Sequence, residues 1–177
     1  MGNILFILGG ARSGKSSFAT NRAIRDYKKV AYIATSPYYD QKMTERIEQH
    51  KRDRPSTWPT YEQTKDLHLL IDSIHEQYEV LLIDCLTLYV SNYILDNVPE
   101  SYVQAKVKCM MSSLQKAKCD AIIVSNEVGL GVHPENEMAL EFRDVAGRAN
   151  QIVAKESDDV YFMVSGLPLK LKSKSKG

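Results

Sequence analysis

Short, unbroken apolar runs alternate with helical periods along this chain. Asn3–Leu8, Val30–Ala34, Val80–Asp84, Ala121–Ser125 and Asp159–Val164 are apolar at successive rather than alternate positions, which predicts strands buried on both faces. Between them the period lengthens. Leu67, Leu70, Ile71 and Ile74 fall at i, i+3, i+4 and i+7. Val103, Val107, Met110, Leu114 and Ala117 keep one helical stripe, and Met138, Phe142, Val145, Ala149, Ile152 and Val153 keep another; Ser17 to Asp26 is a further helical pattern. Buried strands separated by amphipathic helices predict a mostly parallel sheet flanked by helices, a three-layer α/β domain. In such a domain functional residues gather at the carboxyl ends of the strands.

The rhythm breaks between Ser36 and Thr64, where a helical segment, MTERIEQH, is followed by the polar, proline-containing KRDRPSTWPT. An excursion of this length in a compact domain points to function. A single domain is expected over 1–172, with 173–177 as a flexible tail. The locally basic stretch from Lys170 to Lys176 reads as a solvated, frayed terminus in preference to an electrostatic arm.

Composition narrows the classes. With 44% hydrophobic and 25% charged residues, the 177-residue chain is an ordinary globular protein. Its net charge of +1 offers no general attraction to nucleic acid or an acidic membrane. Cys85, Cys109 and Cys119 are odd in number and form no CxxC pair, which argues against a disulfide framework or zinc site and fits a reducing cytoplasm. Ile4–Leu8 is too short for a signal segment, and VLLIDCLTLYV, interrupted by Asp84, is too short to span a bilayer. The chain is expected to be cytoplasmic, without membrane insertion.

The chemistry begins at Gly9. Gly9, Gly10, Ala11, Arg12, Ser13, Gly14, Lys15 and Ser16 contain the full GxxxxGK[ST] pattern, preceded by a predicted strand and followed by a predicted helix. Glycines let backbone N–H groups turn inward onto phosphate oxygens, Lys15 brings a cation to the β/γ-phosphates, and the Ser16 hydroxyl can ligate Mg²⁺. The helix amino terminus adds its partial positive charge. The loop is expected to stand at the surface, with Lys15 packing little core. Asp84 closes an apolar strand and has two readings: a partner for the metal or nucleotide, or a cap for the helix starting near Thr87.

His50 shares a helical face with Met43 and Ile47, which suits a packed histidine. Lys51, Arg52 and Arg54 follow it, and a neutral imidazole beside cations is a competent nucleophile toward phosphorus. Both readings stand on pattern alone. His68 and His75 read as surface or packing residues, and His133 as part of a polar loop. Asn126 and Glu127, opening NEVGLGVHPEN, end a strand where an open α/β sheet binds ligands, or begin a mere connection.

Taken together, GGARSGKS, YIATS, RIEQHKRDRPSTW, LLIDCLTLYVSN, NEVGLGVHPEN, FRDVAGRANQ and SGLPLKLK resemble the bifunctional adenosylcobinamide kinase/adenosylcobinamide-phosphate guanylyltransferases of cobalamin biosynthesis. The resemblance covers nearly the whole chain. It implies a RecA-like P-loop domain, a homotrimer, and Mg²⁺ with ATP or GTP as substrates. It also implies a histidine that takes up GMP, matched by His50. The nucleotide contacts it implies fall on Gly9 to Ser16, on Thr35, Ser36 and Pro37, on Lys51, Arg52, Asp53 and Arg54, and on Glu62 and Asp84. Some members carry a second histidine where this chain has Gln49, and some have glutamate at Asp84; one histidine suffices, and either carboxylate can serve. Two other readings remain at this stage: a small-molecule P-loop kinase without the histidine intermediate, and a nucleotide-dependent switch or RecA-like binding module. NEVG at 126–129 lacks the lysine and aspartate of a guanine-reading NKxD motif.

Overall fold

A computed structural model describes residues 2–36, 54–131 and 136–174. The five expected strands form the centre of one seven-stranded sheet: β1 (Ile4–Gly9), β2 (Val30–Ala34), β4 (Val80–Asp84), β5 (Asp120–Asn126) and β6 (Asp159–Val164). Two short strands were not expected from the pattern, β3 (Thr60–Glu62) and β7 (Leu167–Lys172). The order is β3-β2-β4-β5-β1-β6-β7, parallel throughout except for β7, which returns antiparallel on β6.

Side chains alternate across the sheet and sort into two cores. Phe6, Ile33, Leu81, Ile83 and Ile123 face α2 (Leu67–Ile74), α3 (Leu86–Ile94), α4 (Glu100–Lys116) and α5 (Glu137–Glu156). Leu5, Ile7, Leu82, Ile122 and Val124 face Ala19 and Ala23 of α1 (Lys15–Asp26), with Trp58 packed at the margin. Burial on both faces is why the strands read as unbroken apolar runs.

Within the described residues, the basic stretch departs from the expectation of a frayed terminus as far as Lys174. Lys170 lies in β7 and pairs with Asp159 at 2.9 Å, while Lys174 pairs with Asp158 at 2.7 Å. Lys172 Nζ donates to the carbonyls of Ala154, Lys155 and Ser157 at 3.1, 2.7 and 2.6 Å. It thereby caps the carboxyl end of α5, where unpaired carbonyls and the helix dipole favour a cation.

A candidate nucleotide site at the carboxyl edge of the sheet

The loop from Gly9 to Ser16 joins the carboxyl end of β1 to α1, and its glycines are required by close packing. A Cβ on Gly9 would stand 2.5 Å from the Met163 carbonyl oxygen and 2.8 Å from Ser13 Oγ. Gly14 has φ +93° and caps α1 without a side-chain oxygen, so the first-turn amides keep their positive end toward the loop. A Cβ there would lie 3.2 Å from Gly166 Cα, and Gly166 N donates to Ser13 O at 3.0 Å. The turn between β6 and β7 therefore buttresses the loop, a role the sequence pattern did not reveal. Lys15 also departs from expectation: it is only 7% exposed, and its Nζ donates to Gly10 O at 2.6 Å. The ammonium is folded back along the loop rather than extended into solvent.

Strand register assembles the rest. Ala34 is paired with both Glu62 and Asp84, Asp84 with Val124, and Gly9 with Asn126. Paired residues on neighbouring strands share a face, as do residues two apart on one strand. Since Val124 packs in the α1-side core, Glu62, Asp84 and Asn126 all project on the face that carries the phosphate loop.

Asp84 does not cap α3: that helix starts from Cys85 with no side-chain cap bond. Its carboxylate instead accepts from the Tyr32 hydroxyl at 3.1 Å. Ser16 and Asp84 offer hydroxyl and carboxylate oxygens, a donor set that suits Mg²⁺ completed by substrate phosphates and water. Among the described residues no group of three or more His, Cys, Asp or Glu is built to cage a metal.

Thr35 is fully buried and commits every polar atom inside the fold. Its hydroxyl donates to Cys85 O at 2.7 Å and accepts from Cys85 N at 2.8 Å. Its amide donates to Asp84 O at 3.2 Å, and its carbonyl accepts from Asn92 Nδ2 at 2.8 Å. Thr35 thus bolts the end of β2 to the backbone that carries Asp84. Arg54 is anchored by Nη2 to Thr60 Oγ1 at 2.9 Å and stacks on Tyr32, its Cζ 3.8 Å from the ring centroid. Ser36 and Glu62 stand at the same strand edge, beyond Ala34 and opposite it. Pro37, His50, Lys51, Arg52 and Asp53 lie outside the described residues, as does His133.

A buried polar network fixes the end of β5. Ser125 Oγ lies 3.1 Å from Thr87 Oγ1 and donates to Asn150 Oδ1 at 2.7 Å. Asn126 N donates to Thr87 Oγ1 at 2.7 Å, and Asn150 Nδ2 donates to Asn126 O at 3.1 Å. Glu127 N then reaches Gly9 O at 2.9 Å. Asn150→Ala would remove the acceptor of the Ser125 hydroxyl and the donor to the Asn126 carbonyl, at an expected cost of roughly 1–3 kcal/mol. Thermal and denaturant melts check this, and an unchanged melting point would contradict it.

At the opposite edge, a cleft of about 600 Å³ is lined by residues that include Tyr27, His75, Lys118 and Asp120. Its polar groups pair with one another: Tyr27 Oη donates to Asp120 at 2.7 Å, Lys118 holds Glu76 at 2.7 Å, and His75 Nδ1 accepts from Lys118 N at 3.2 Å. His75 is structural there, as the sequence indicated.

Residues 5–171 match the family described as cobinamide kinase / cobinamide phosphate guanyltransferase. The chain belongs to this family. The "Bifunctional adenosylcobalamin biosynthesis protein CobU" of Escherichia coli (strain K12) is 36% identical over 181 residues, spanning 96% of this chain and 99% of that protein. The "Bifunctional adenosylcobalamin biosynthesis protein CobP" of Pseudomonas aeruginosa is 39% identical over 166 residues, spanning 94% and 95%. Among solved structures, the RadB recombinase superposes with TM-score 0.55 at 16% identity over 90% of this chain and 73% of that one. A KaiC-like protein of Pyrococcus horikoshii OT3 gives 0.55 at 10% identity, over 90% and 71%. At such identities the likeness speaks for the fold, a RecA-like P-loop domain. No helix among the described residues is long and apolar enough to cross a membrane.

Proposed function

We propose that this member of the cobinamide kinase/guanylyltransferase family performs both reactions at the carboxyl edge of its sheet. The observation that carries this reading is the register placing Glu62, Asp84 and Asn126 on the phosphate-loop face. In the kinase reaction the hydroxyl of the aminopropanol arm of adenosylcobinamide attacks the γ-phosphorus of ATP or GTP. The bond from that phosphorus to the bridging oxygen breaks, and the nucleoside diphosphate leaves. Lys15 and the amides from Gly9 to Ser16 hold the phosphates and stabilise charge on the transferring group. Mg²⁺, held by Ser16 and Asp84, would supply further charge neutralisation on the phosphate oxygens.

In the second reaction a His50 ring nitrogen attacks the α-phosphorus of GTP. A P–N bond forms, pyrophosphate leaves, and the imidazole gives up its proton. A phosphate oxygen of adenosylcobinamide phosphate then attacks this phosphorus, the P–N bond breaks, and adenosylcobinamide-GDP departs. One difficult transfer is divided into two easier ones. In this reading Lys51, Arg52 and Arg54 neutralise the triphosphate, with Ser36, Pro37, Asp53 and Glu62 completing the nucleotide contacts. Thr35 serves by aligning Ser36 and Asp84.

Intact-protein mass measurement after exposure to GTP and Mg²⁺ tests the reading, with an added GMP as the expected result. GTP labelled at the α-phosphate must leave its label on the protein; a chain that phosphorylates adenosylcobinamide but never retains that label would be a kinase alone.

A homotrimer is part of the same reading. Leu167, Leu169 and Leu171 alternate on one face of the edge strand β7 and are 72%, 55% and 57% exposed, with Val164 paired to Leu167. An apolar stripe on an edge strand is a surface that favours association. Light scattering is expected to give three times the 20.0 kDa chain mass, and Leu169→Arg to yield monomers. A trimer that survives the substitution would remove β7 from the interface. A cytoplasmic location is part of the same reading.

A further inference from the structure

Tyr32 occupies a position on β2 where a phenylalanine would fill the same space. It is 6% exposed and packs in the α1-side core among apolar residues, so its hydroxyl calls for a partner. That partner is Asp84 Oδ2, at 3.1 Å. Burial, followed by the neighbouring Asp84 charge, pushes the phenol well above its ordinary pKa, with Arg54 pulling the other way. In this bond the phenol donates and the carboxylate accepts. The ring has a second use. Arg54 Cζ stands 3.8 Å over its centroid, with the guanidinium steadied by Thr60, an arrangement favoured by attraction to the π face.

One side chain thus touches two parts of the site that are far apart in sequence. Its hydroxyl aims the carboxylate at the end of β4, and its face seats the last cation of the block that follows His50. We propose that Tyr32 is a positioning residue for both reactions, orienting Asp84 for phosphoryl transfer through its hydroxyl and Arg54 for guanylyl transfer through its ring. This rests on the bifunctional reading above.

The two functions of the ring separate by substitution. Tyr32→Phe removes the hydroxyl and keeps the face. The kinase kcat is expected to fall about tenfold, as for loss of a hydrogen bond to a charged group, with the nucleotide KM and the rate of GMP attachment each changed by less than about twofold. Tyr32→Leu removes both, and GMP attachment is expected to fall about fivefold as well. A double-mutant cycle checks the stacking directly: Arg54→Met should cost GMP attachment several-fold less in the Tyr32→Leu background than in the wild type. If the leucine variant does not fold, the cycle is run on Tyr32→Phe, where Arg54→Met must cost as much as in the wild type. Equilibrium GTP binding without metal is measured alongside, and Tyr32→Leu is expected to weaken it severalfold through Arg54 while Tyr32→Phe is not.

An unchanged kinase kcat in Tyr32→Phe, equal losses of both activities tracking a lowered melting point, or additive Arg54 and Tyr32→Leu effects would each overturn the proposal. A wild-type protein that never accumulates GMP overturns the bifunctional reading instead, and the kinase arm of Tyr32→Phe still decides the role of the hydroxyl.

Discussion

Lys15→Ala is expected to reduce phosphoryl transfer at least about a hundredfold, the scale on which loss of one preorganised electrostatic contact acts. The lysine is the only cation within GGARSGKS besides Arg12, and it begins the helix whose amino end faces the loop. Its burial adds a second consequence. Nζ donates to Gly10 O at 2.6 Å, so alanine removes a bond that shapes the loop as well as the charge proposed to serve the reaction. Lys15→Arg separates these effects: it keeps the charge but replaces a compact ammonium with a planar fork that does not fit the same place. Both variants are expected to fold, because Phe6, Ile7, Ala19 and Ala23, which anchor the elements on either side, are untouched. The measurement is kinase kcat with a melting curve beside it. A folded Lys15→Ala protein with kinase activity near wild type would remove the phosphate loop from the mechanism.

The phosphate loop was legible because its chemistry is local: eight consecutive residues carry the turn, the cation and the helix end. The central strands were legible for a related reason. Burial on both faces leaves an unbroken apolar run in each of them. β3 escaped notice because three residues, Thr60–Glu62, are too few to show a period and lie in a polar stretch; their place is set by Ala34, through register and the bond from Gln63 N to Ala34 O at 2.9 Å. β7 escaped because its lysines resemble a solvated tail, whereas Lys172 is spent on carbonyls at the end of α5. The contacts among Tyr32, Arg54 and Asp84 were illegible for a deeper reason. They arise only once β2 and β4 lie side by side, and no local pattern in YIATS or LLIDC carries that distance.

The same contrast bears on His50. Sequence chemistry left it between a packed face residue and a nucleophile, and membership of the cobinamide kinase/guanylyltransferase family weighs toward the second. His50→Asn is therefore expected to abolish GMP attachment and guanylyl transfer while kinase activity remains within a few-fold of wild type. The reason is a division of labour in the proposed function: there phosphoryl transfer relies on Lys15, Asp84 and the acceptor hydroxyl, none of which depends on a nucleophilic nitrogen. A packed residue behaves otherwise, since its loss lowers stability and pulls both activities down together. The adduct gives an independent check. A GMP carried on nitrogen is labile in acid and stable in base, unlike an ester on serine. Protonation occupies the attacking lone pair, so attachment should weaken as pH falls through the histidine pKa, about 6.5 in an unperturbed side chain. The kinase reaction, measured over the same pH range, should not share that step. A His50→Asn protein that still accumulates acid-labile GMP would move the nucleophile elsewhere, with His133 the next residue to substitute.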